Sequence, residues 1–279
     1  MARIKAKVND LVGSELLITQ ALALSRSESN PLTLYEAYNI LGFISNEQHD
    51  YENAVDAHKK ALSIVEDNLA ISNPFAYEVS LNNIGNVYQN LDDNKSATFY
   101  FRKALNNSSL NTEHPELYAL LIENLGYSLF KLGEYEKPVK LITESIRFND
   151  SMENSSNSIY GRIRLAEIYL KHDSVKAFEV ADQAYKIAQT SPNPYYKLLA
   201  LKNLVRYFSQ KNTDLNPEYI RYSDSLQQNE RKIKDRFARI QFETEEIERQ
   251  KDKLEVQNRN LMLFFFVTIM MVLLLFVIR

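Results

Sequence analysis

The sequence predicts an all-α chain built as an α-α superhelix of stacked helix pairs, and three observations carry that prediction. Glycine and proline are scarce, six and seven in 279 residues, while Leu, Ala, Glu, Lys, Asn and Ser are plentiful, a balance that favours helices over turn-rich sheet. Gly42, Gly85 and Gly126 each follow an apolar residue, in YNILG, LNNIG and IENLG, at spacings of 43 and 41. After Pro217 no glycine or proline occurs, so the remaining chain can form one helix of about 60 residues, roughly 90 Å long.

Composition narrows the function before any motif is read. With 45% hydrophobic and 25% charged residues the chain holds enough apolar material for a continuous core in one large or two modest units. A net charge of -3 and a pI near 5.9 argue against a nucleic-acid-binding surface, which needs a basic patch. The absence of cysteine excludes disulfides, zinc-thiolate sites, iron-sulfur clusters and thiol nucleophiles, and leaves the compartment open. The opening MARIKAKVND has basic residues but no apolar core of a secretory signal.

The repeat unit is justified column by column. Ala54 and Ala61 recur as Ala97 and Ala104, again 43 apart. Small residues recur where paired helices approach closely, because a larger side chain would force them apart. The stretch LNNIGNVYQNLDDNKSATFYFRKAL supplies Leu81, Ile84, Gly85, Tyr88, Ala97, Phe101 and Ala104. In these residues and their spacing the chain resembles the tetratricopeptide repeat. The copy before it gives Tyr38, Leu41, Gly42, Ala54 and Ala61, with His58 where the family has Phe; the copy after gives Ile122, Leu125, Gly126 and Tyr135. Pro138 departs from the pattern by replacing alanine, at a place near a helix start where a missing N–H costs little. A fourth unit carries Leu165, Ala166, Tyr169, Ala177, Ala181 and Ala184 with a turn one residue shorter, and a degenerate fifth begins at YYKLLALKNLVRYF. Asn73-Pro74, His114-Pro115 and the Ser191–Pro194 stretch separate units.

The two ends are expected to differ from the middle. GSELLITQALALS aligns with the second helix of a repeat, Ala21 and Leu22 matching Ala61 and Leu62, so residues 1–34 read as a partial repeat or cap. Residues 35–215 read as a solenoid of four to five helix pairs and 216–260 as a long juxtamembrane helix. From Leu261 to Ile278 Thr268 is the one polar residue. That run is about 27 Å of helix, close to a hydrocarbon core of about 30 Å, and predicts a transmembrane helix through the lipid bilayer at 261–278. Leu226, Ile233, Ile240, Ile247, Leu254 and Leu261 fall at intervals of seven, a period that favours a left-handed supercoil. The companion column, Glu230, Phe237, Thr244, Lys251 and Asn258, is too polar for strength. Two readings of this stripe stand side by side: docking of residues 217–240 along the last repeat, and a weak homodimeric coiled coil over 240–260.

SDSLQQNERKIKDRFARIQFETEEIERQ gives a second resemblance, to the juxtamembrane segment of bacterial membrane proteins in which such repeats precede one transmembrane helix and an output module. In the closest group that module is a histidine kinase, in a sister group a helix-turn-helix domain. The phosphoacceptor histidine and ATP-binding motifs of the kinases cannot be placed on any residue here. The resemblance implies a longer parent, with the present chain a fragment that lacks its signal peptide and output domain.

No catalytic chemistry is legible. His49, His58, His114 and His172 have no metal spacing, and no phosphate loop, GxSxG elbow or kinase signature occurs. No cofactor or metal is expected. Binding is the better prospect, since the repeat resemblance implies that first helices line a groove and that the sixth repeat position faces it. That position holds Asn83, Asn124, Arg164 and Asn203, with Asn86, Lys202 and Arg206 nearby. Amides suit the backbone of an extended peptide and arginine suits a carboxylate. The expected repeat-packing residues are Leu41, Gly42, Ala54, Ala61, Ile84, Gly85, Ala97, Ala104, Leu125 and Gly126. The functional reading is a non-enzymatic sensor module that binds a peptide or protein and signals along its helix to a kinase, from the bacterial inner membrane with periplasmic repeats. The alternative is a tail-anchored adaptor with cytosolic repeats that recruits a partner.

Overall fold

The computed structural model describes residue 18 and residues 31–69, 74–208 and 215–278. Among these the chain forms α-helices and no strand. In order they are α1 (Pro31–Glu47), α2 (Tyr51–Ile64) extended by a π-helical turn (Val65–Leu69), α3 (Ala76–Asn90), α4 (Asn94–Ala104), the single turn α5 (Leu110–Glu113), α6 (Pro115–Lys131), α7 (Glu136–Ser151), α8 (Ser155–Tyr169), α9 (Ser174–Thr190), α10 (Pro194–Phe208) and α11 (Leu215–Ile278). Two compact units divide the chain, Met1–Leu226 and Gln227–Arg279. The partial repeat expected over residues 1–34, with Ala21 and Leu22, lies almost wholly outside the described residues.

In the first unit, helices pair as α1 with α2, α3 with α4, α6 with α7 and α8 with α9, and each pair packs on the next. Local sequence sets the boundaries. Pro31, Pro115 and Pro194 open α1, α6 and α10, where proline's missing N–H costs no helical bond. The turn inside the first three pairs has one plan. His49, Asp92 and Gly133 adopt φ of 62°, 63° and 95°, and the following N–H reaches back five residues, Asp50 to Ser45, Asp93 to Tyr88 and Glu134 to Leu129, at 2.8, 2.9 and 3.0 Å. This left-handed step satisfies carbonyls at the end of one helix before the next begins. Asp50, Asp93 and Asp173 then cap α2, α4 and α9 through their carboxylates. The fourth pair dispenses with the left-handed residue, and Asp173 N–H bonds Tyr169 O instead at 2.7 Å.

The glycine column marks where the two helices of a pair touch. A Cβ added at Gly42 would stand 2.6 Å from the His58 ring, and one at Gly85 2.5 Å from the Phe101 ring. At Gly126 it would meet Ile142 Cγ1 at 3.0 Å. His58, Phe101 and Ile142 occupy the same place, sixteen residues after each glycine. In the fourth pair the glycine becomes Ala166 and, because the turn is one residue shorter, the place of the ring falls fifteen residues on at Ala181, which is buried in the same cluster, so small side chains on both helices replace glycine and ring. Around these contacts Ala54, Ala61, Ile84, Ala97, Ala104 and Leu125 are buried and Leu41 is half-buried. Pro138 is buried near the start of α7. The core continues through successive pairs to Ala200, Leu201, Leu204, Phe208 and, from the start of α11, Leu215.

The sequence led to a single-pass placement in the bacterial inner membrane, with periplasmic or cytosolic repeats. That placement is corrected: among the described residues no helix is long and apolar enough to cross a membrane. The apolar side chains from Leu261 to Met270 are exposed. In the seven-residue column Leu226 is half-buried and Ile247, Leu254 and Leu261 are exposed. The side chains of Ile233 and Ile240 lie outside the description, as do those of 271–278.

Two tests follow from the packed rings. Alanine exceeds glycine in helix propensity by about 1 kcal/mol, but at Gly85 the ring of fully buried Phe101 has nowhere to go. Overpacking of this kind costs about 1–3 kcal/mol, so Gly85→Ala should lower the denaturant midpoint, and a raised midpoint would refute the contact. His58 is 4% exposed, and burial lowers its pKa to about 4. Its neutral form is the one the fold accepts, so its contribution is complete above pH 6.5 and is lost as pH falls towards 4. The total is on the order of 3 kcal/mol. Urea titrations at pH 7 and pH 4.5 should show that loss in the native chain and a smaller one in His58→Phe.

Candidate functional site

Successive first helices, α1, α3, α6, α8 and α10, present a polar face, and its deepest layer is a ladder of hydrogen bonds from each repeat to the one before. Asn83 Nδ2 donates to Asn39 Oδ1 at 3.0 Å, Asn124 Nδ2 to Asn82 Oδ1 at 2.9 Å, and Arg164 Nη1 to Glu123 Oε1 at 3.1 Å. In each case the donor stands two residues before the glycine column and the acceptor three before it, one repeat earlier. Asn39 is itself tied down, donating to Tyr35 O at 3.1 Å and lying 3.2 Å from His58 Nδ1. The fifth repeat breaks the rule for a visible reason. Its acceptor position in α8 is Ile163, so Asn203 turns inward and donates to Leu199 O of its own helix at 2.9 Å.

Arg164 joins three repeats. Nη1 also donates to Asn124 Oδ1 at 2.8 Å, Nη2 donates to Gln89 Oε1 at 3.0 Å, and the guanidinium lies 4.6 Å from the centroid of the Tyr127 ring. Gln89 Nε2 in turn donates to Ser128 Oγ at 2.8 Å and to Asn124 O at 3.1 Å. Glu123 is 2% exposed and its Oε2 has no partner. Burial raises its pKa, and the Arg164 charge opposes that rise without cancelling it. A raised carboxyl holds its proton longer in the folded chain than in the unfolded one. Its contribution is therefore full below the ordinary value of 4.5 and declines as pH rises through the folded pKa.

The expected groove residues thus divide. Asn83, Asn124 and Arg164 spend their polar atoms between repeats, and Asn203 spends its amide on its own helix. Asn86 is half-buried on the same face, while Lys202 and Arg206 are exposed. The structure adds residues that the column at position six could not indicate. Tyr127 Oη donates to Glu167 Oε2 at 3.0 Å, and Lys131 Nζ donates to Glu167 Oε1 at 3.0 Å. Burial works to lower the Lys131 pKa, yet its bonds to Glu167 and Tyr127 outweigh that and hold it above the ordinary lysine value. Lys131 and Lys171 stand over the Phe130 ring at 5.9 and 4.8 Å, and Arg206 over Tyr207 at 5.4 Å. The signal was present in the sequence, since Asn90, Lys131 and Lys171 recur at spacings of 41 and 40, as do Tyr127, Glu167 and Arg206 at 40 and 39.

The four histidines have local roles. His58 fills the ring position against Gly42, and His114 caps α6 by accepting from Leu117 N–H at 3.3 Å. His49 makes the left-handed turn beside Tyr51, and His172 packs on Tyr135 with ring centroids 4.0 Å apart. Among the described residues no group of three or more His, Asp or Glu could hold a metal ion.

Comparison with known proteins agrees with this architecture. Residues 79–109, which include most of α3 and all of α4, match the tetratricopeptide repeat family. No curated protein matches the chain in sequence. Among solved structures it is similar to a Rap protein complexed with competence and sporulation factor, at 14% identity and TM-score 0.68 over 81% of this chain and 62% of that one. It is also similar to apo RapI, at 15% identity and TM-score 0.65 over 80% and 81%. BtubC from P. vanneervenii gives 16% identity and TM-score 0.61 over 79% and 92%. The fold is an all-α, tetratricopeptide-like repeat solenoid. The resemblance to membrane sensor kinases is not part of what these comparisons carry.

The three-repeat junction is testable by a double-mutant cycle. Arg164→Ala leaves Glu123 buried without its cation and should cost about 3 kcal/mol at pH 8. The loss should shrink as pH is lowered, because Glu123, its pKa raised by burial, takes up a proton. Glu123→Gln should remove that pH dependence, and Arg164→Ala added to it should cost markedly less than in the native chain. Equal losses in both backgrounds would show that the pair is not coupled.

Proposed function

We infer that this chain is a non-catalytic interaction module that binds an extended polypeptide across the face of its successive first helices. The observation that carries the reading is the layering of that face. Beneath lies the buried ladder of Asn39, Asn82, Asn83, Glu123, Asn124 and Arg164, which fixes the helices. Above it stand side chains that the ladder does not use, Asn86 on α3, Tyr127 and Lys131 on α6, and Lys202 and Arg206 on α10. A rigid backbone with adaptable polar and aromatic groups on top suits an extended ligand, because little order has to be created on binding. The similar Rap protein, whose structure holds competence and sporulation factor, lends support to a solenoid of this shape serving as a receptor.

The start of α11 is where such binding would be felt within the first unit. Glu218 accepts a hydrogen bond from Tyr185 and lies 3.4 Å from Lys197 Nζ, and Tyr222 Oη donates to Pro194 O at 3.3 Å. Burial and the Glu218 carboxylate push the Tyr185 hydroxyl up to about 12, so it stays a donor at neutral pH. A kinase output, as the second resemblance implies, would be reached through this helix.

Selection of a random twelve-residue peptide library on the immobilised full chain tests the reading. Enriched peptides should lose affinity by about tenfold or more, some 1.4 kcal/mol, in Asn86→Leu. They should bind Phe99→Ala normally, since Phe99 is exposed on the second helix α4. Absence of enrichment, or loss on Phe99→Ala with none on Asn86→Leu, would remove the first-helix face as the binding surface.

A further inference from the structure

Charge along the first helices is graded, although the chain as a whole carries only -3. α1 holds Glu36 and Glu47 and no base, and α3 holds Glu78 and no base. α6 holds Glu116, Glu123 and Lys131; α8 holds Arg162, Arg164 and Glu167; α10 holds Lys197, Lys202 and Arg206 and no acid. Helix by helix the balance moves from acidic to basic without reversal. Many of these charges are already matched. Arg162 pairs with Asp150, Arg164 with Glu123, Lys131 with Glu167, and Lys197 with Glu218. Lys171, Lys202 and Arg206 are exposed and have no carboxylate partner among the described residues.

These unmatched cations belong to one neighbourhood with the paired Lys131. Lys131 and Lys171 share the Phe130 ring, and Arg206 lies over Tyr207. Tyr207 is close enough to feel Glu167, Arg206 and Lys131 together. Aromatic faces beneath cations fix where the charges stand, each such contact being worth about 0.5–1 kcal/mol at an exposed site. Positioned, unneutralised charges repel one another, and a chain of carboxylates laid across them relieves that repulsion.

Resting on the reading of the first-helix face as a polypeptide-binding surface, we propose that the partner is an extended segment with a run of Asp or Glu side chains, seated on Lys171, Lys202 and Arg206. The acidic run lies across the ends of α6, α8 and α10, and the rest of the segment points towards the acidic α1. The gradient thereby fixes the ligand's direction as well as its charge, because the reverse orientation places carboxylates against Glu36 and Glu47. The amides of Asn86 and Asn90 between the two ends serve the ligand backbone.

The library selection on the full chain separates this inference from the reading beneath it. Enriched peptides should carry two or more Asp or Glu clustered towards one end. Replacing those acids by Gln or Asn should weaken binding by about tenfold, as should raising ionic strength from 0.05 to about 0.5 M, which shortens the screening length below 5 Å. Lys202→Glu with Arg206→Glu alters surface side chains only; its far-ultraviolet circular dichroism and melting should match the native chain, and its selection should shift to basic peptides. Enrichment of neutral or basic peptides by the native chain, or an unchanged preference in the charge-reversed variant, would overturn the inference and leave the interaction module standing. A library with no enrichment at all would take both down.

Discussion

The contact on which the rest of this structure depends is the seating of a bulky side chain from each second helix on a glycine of its first helix. Gly42 under His58 and Gly85 under Phe101 bring paired helices closer than a side chain at the glycine would fit, and at Gly126 a Cβ would stand a tight 3.0 Å from Ile142. Close approach lets small residues such as Ala54, Ala97 and Ala104 be fully buried beside large apolar ones such as Leu81, Ile84 and Phe101. Dispersion at that density adds to hydrophobic burial as a source of cohesion. The fourth pair shows the rule by exchange, with Ala166 in the glycine column where Ala181 replaces the ring.

Once pairs are fixed at that spacing, stacking them side by side brings the first helices into hydrogen-bond range and a polar ladder becomes possible. Buried amides without partners would cost about 1–3 kcal/mol each. Asn83 with Asn39 and Asn124 with Asn82 avoid this cost by serving each other. The rungs also set register, because a helix pair shifted by one turn leaves every amide unpaired. The charged rung is the exception in chemistry but not in geometry. Arg164 and Glu123 occupy the same places as the amides, and Arg164 reaches on to Asn124 and Gln89, so its loss would be felt across three repeats. Glu123 keeps one oxygen unsatisfied, which makes that rung sensitive to protonation in a way the amide rungs are not.

The proposed binding surface is what the ladder leaves over. Rigid inner rungs beneath the outer side chains would let that face meet an extended chain without first ordering itself. Cations held over Phe130 and Tyr207 at one end, and the carboxylates of Glu36 and Glu47 on α1 at the other, make that face electrically directional. The start of α11 packs on the last repeats through Glu218 and Leu215, so the proposed binding face and the departure of the long helix share one set of packed residues.

The repeat itself was legible in the sequence because close approach demands small residues at fixed intervals, and intervals survive in a linear text. The columns of Gly42, Gly85 and Gly126 and of Ala54 and Ala97 identify helix pairs for that reason, and prolines such as Pro115 and Pro194 mark their starts through the loss of a single N–H. What a polar column does was not legible. Asn124 and Arg164 look like ligand-facing groups when only their own helix is considered, since the spacing says which face they occupy but not what lies opposite. The opposing Asn82 and Glu123 come from the preceding repeat, and only the stacked helices bring them within 3.1 Å. The apolar run after Asn260 suggested a membrane span by composition, whereas among the described residues no helix is long and apolar enough to cross one. Local steric needs are written in the order of residues. Pairing across repeats is decided by the distance between helices, which the chain acquires only when it folds.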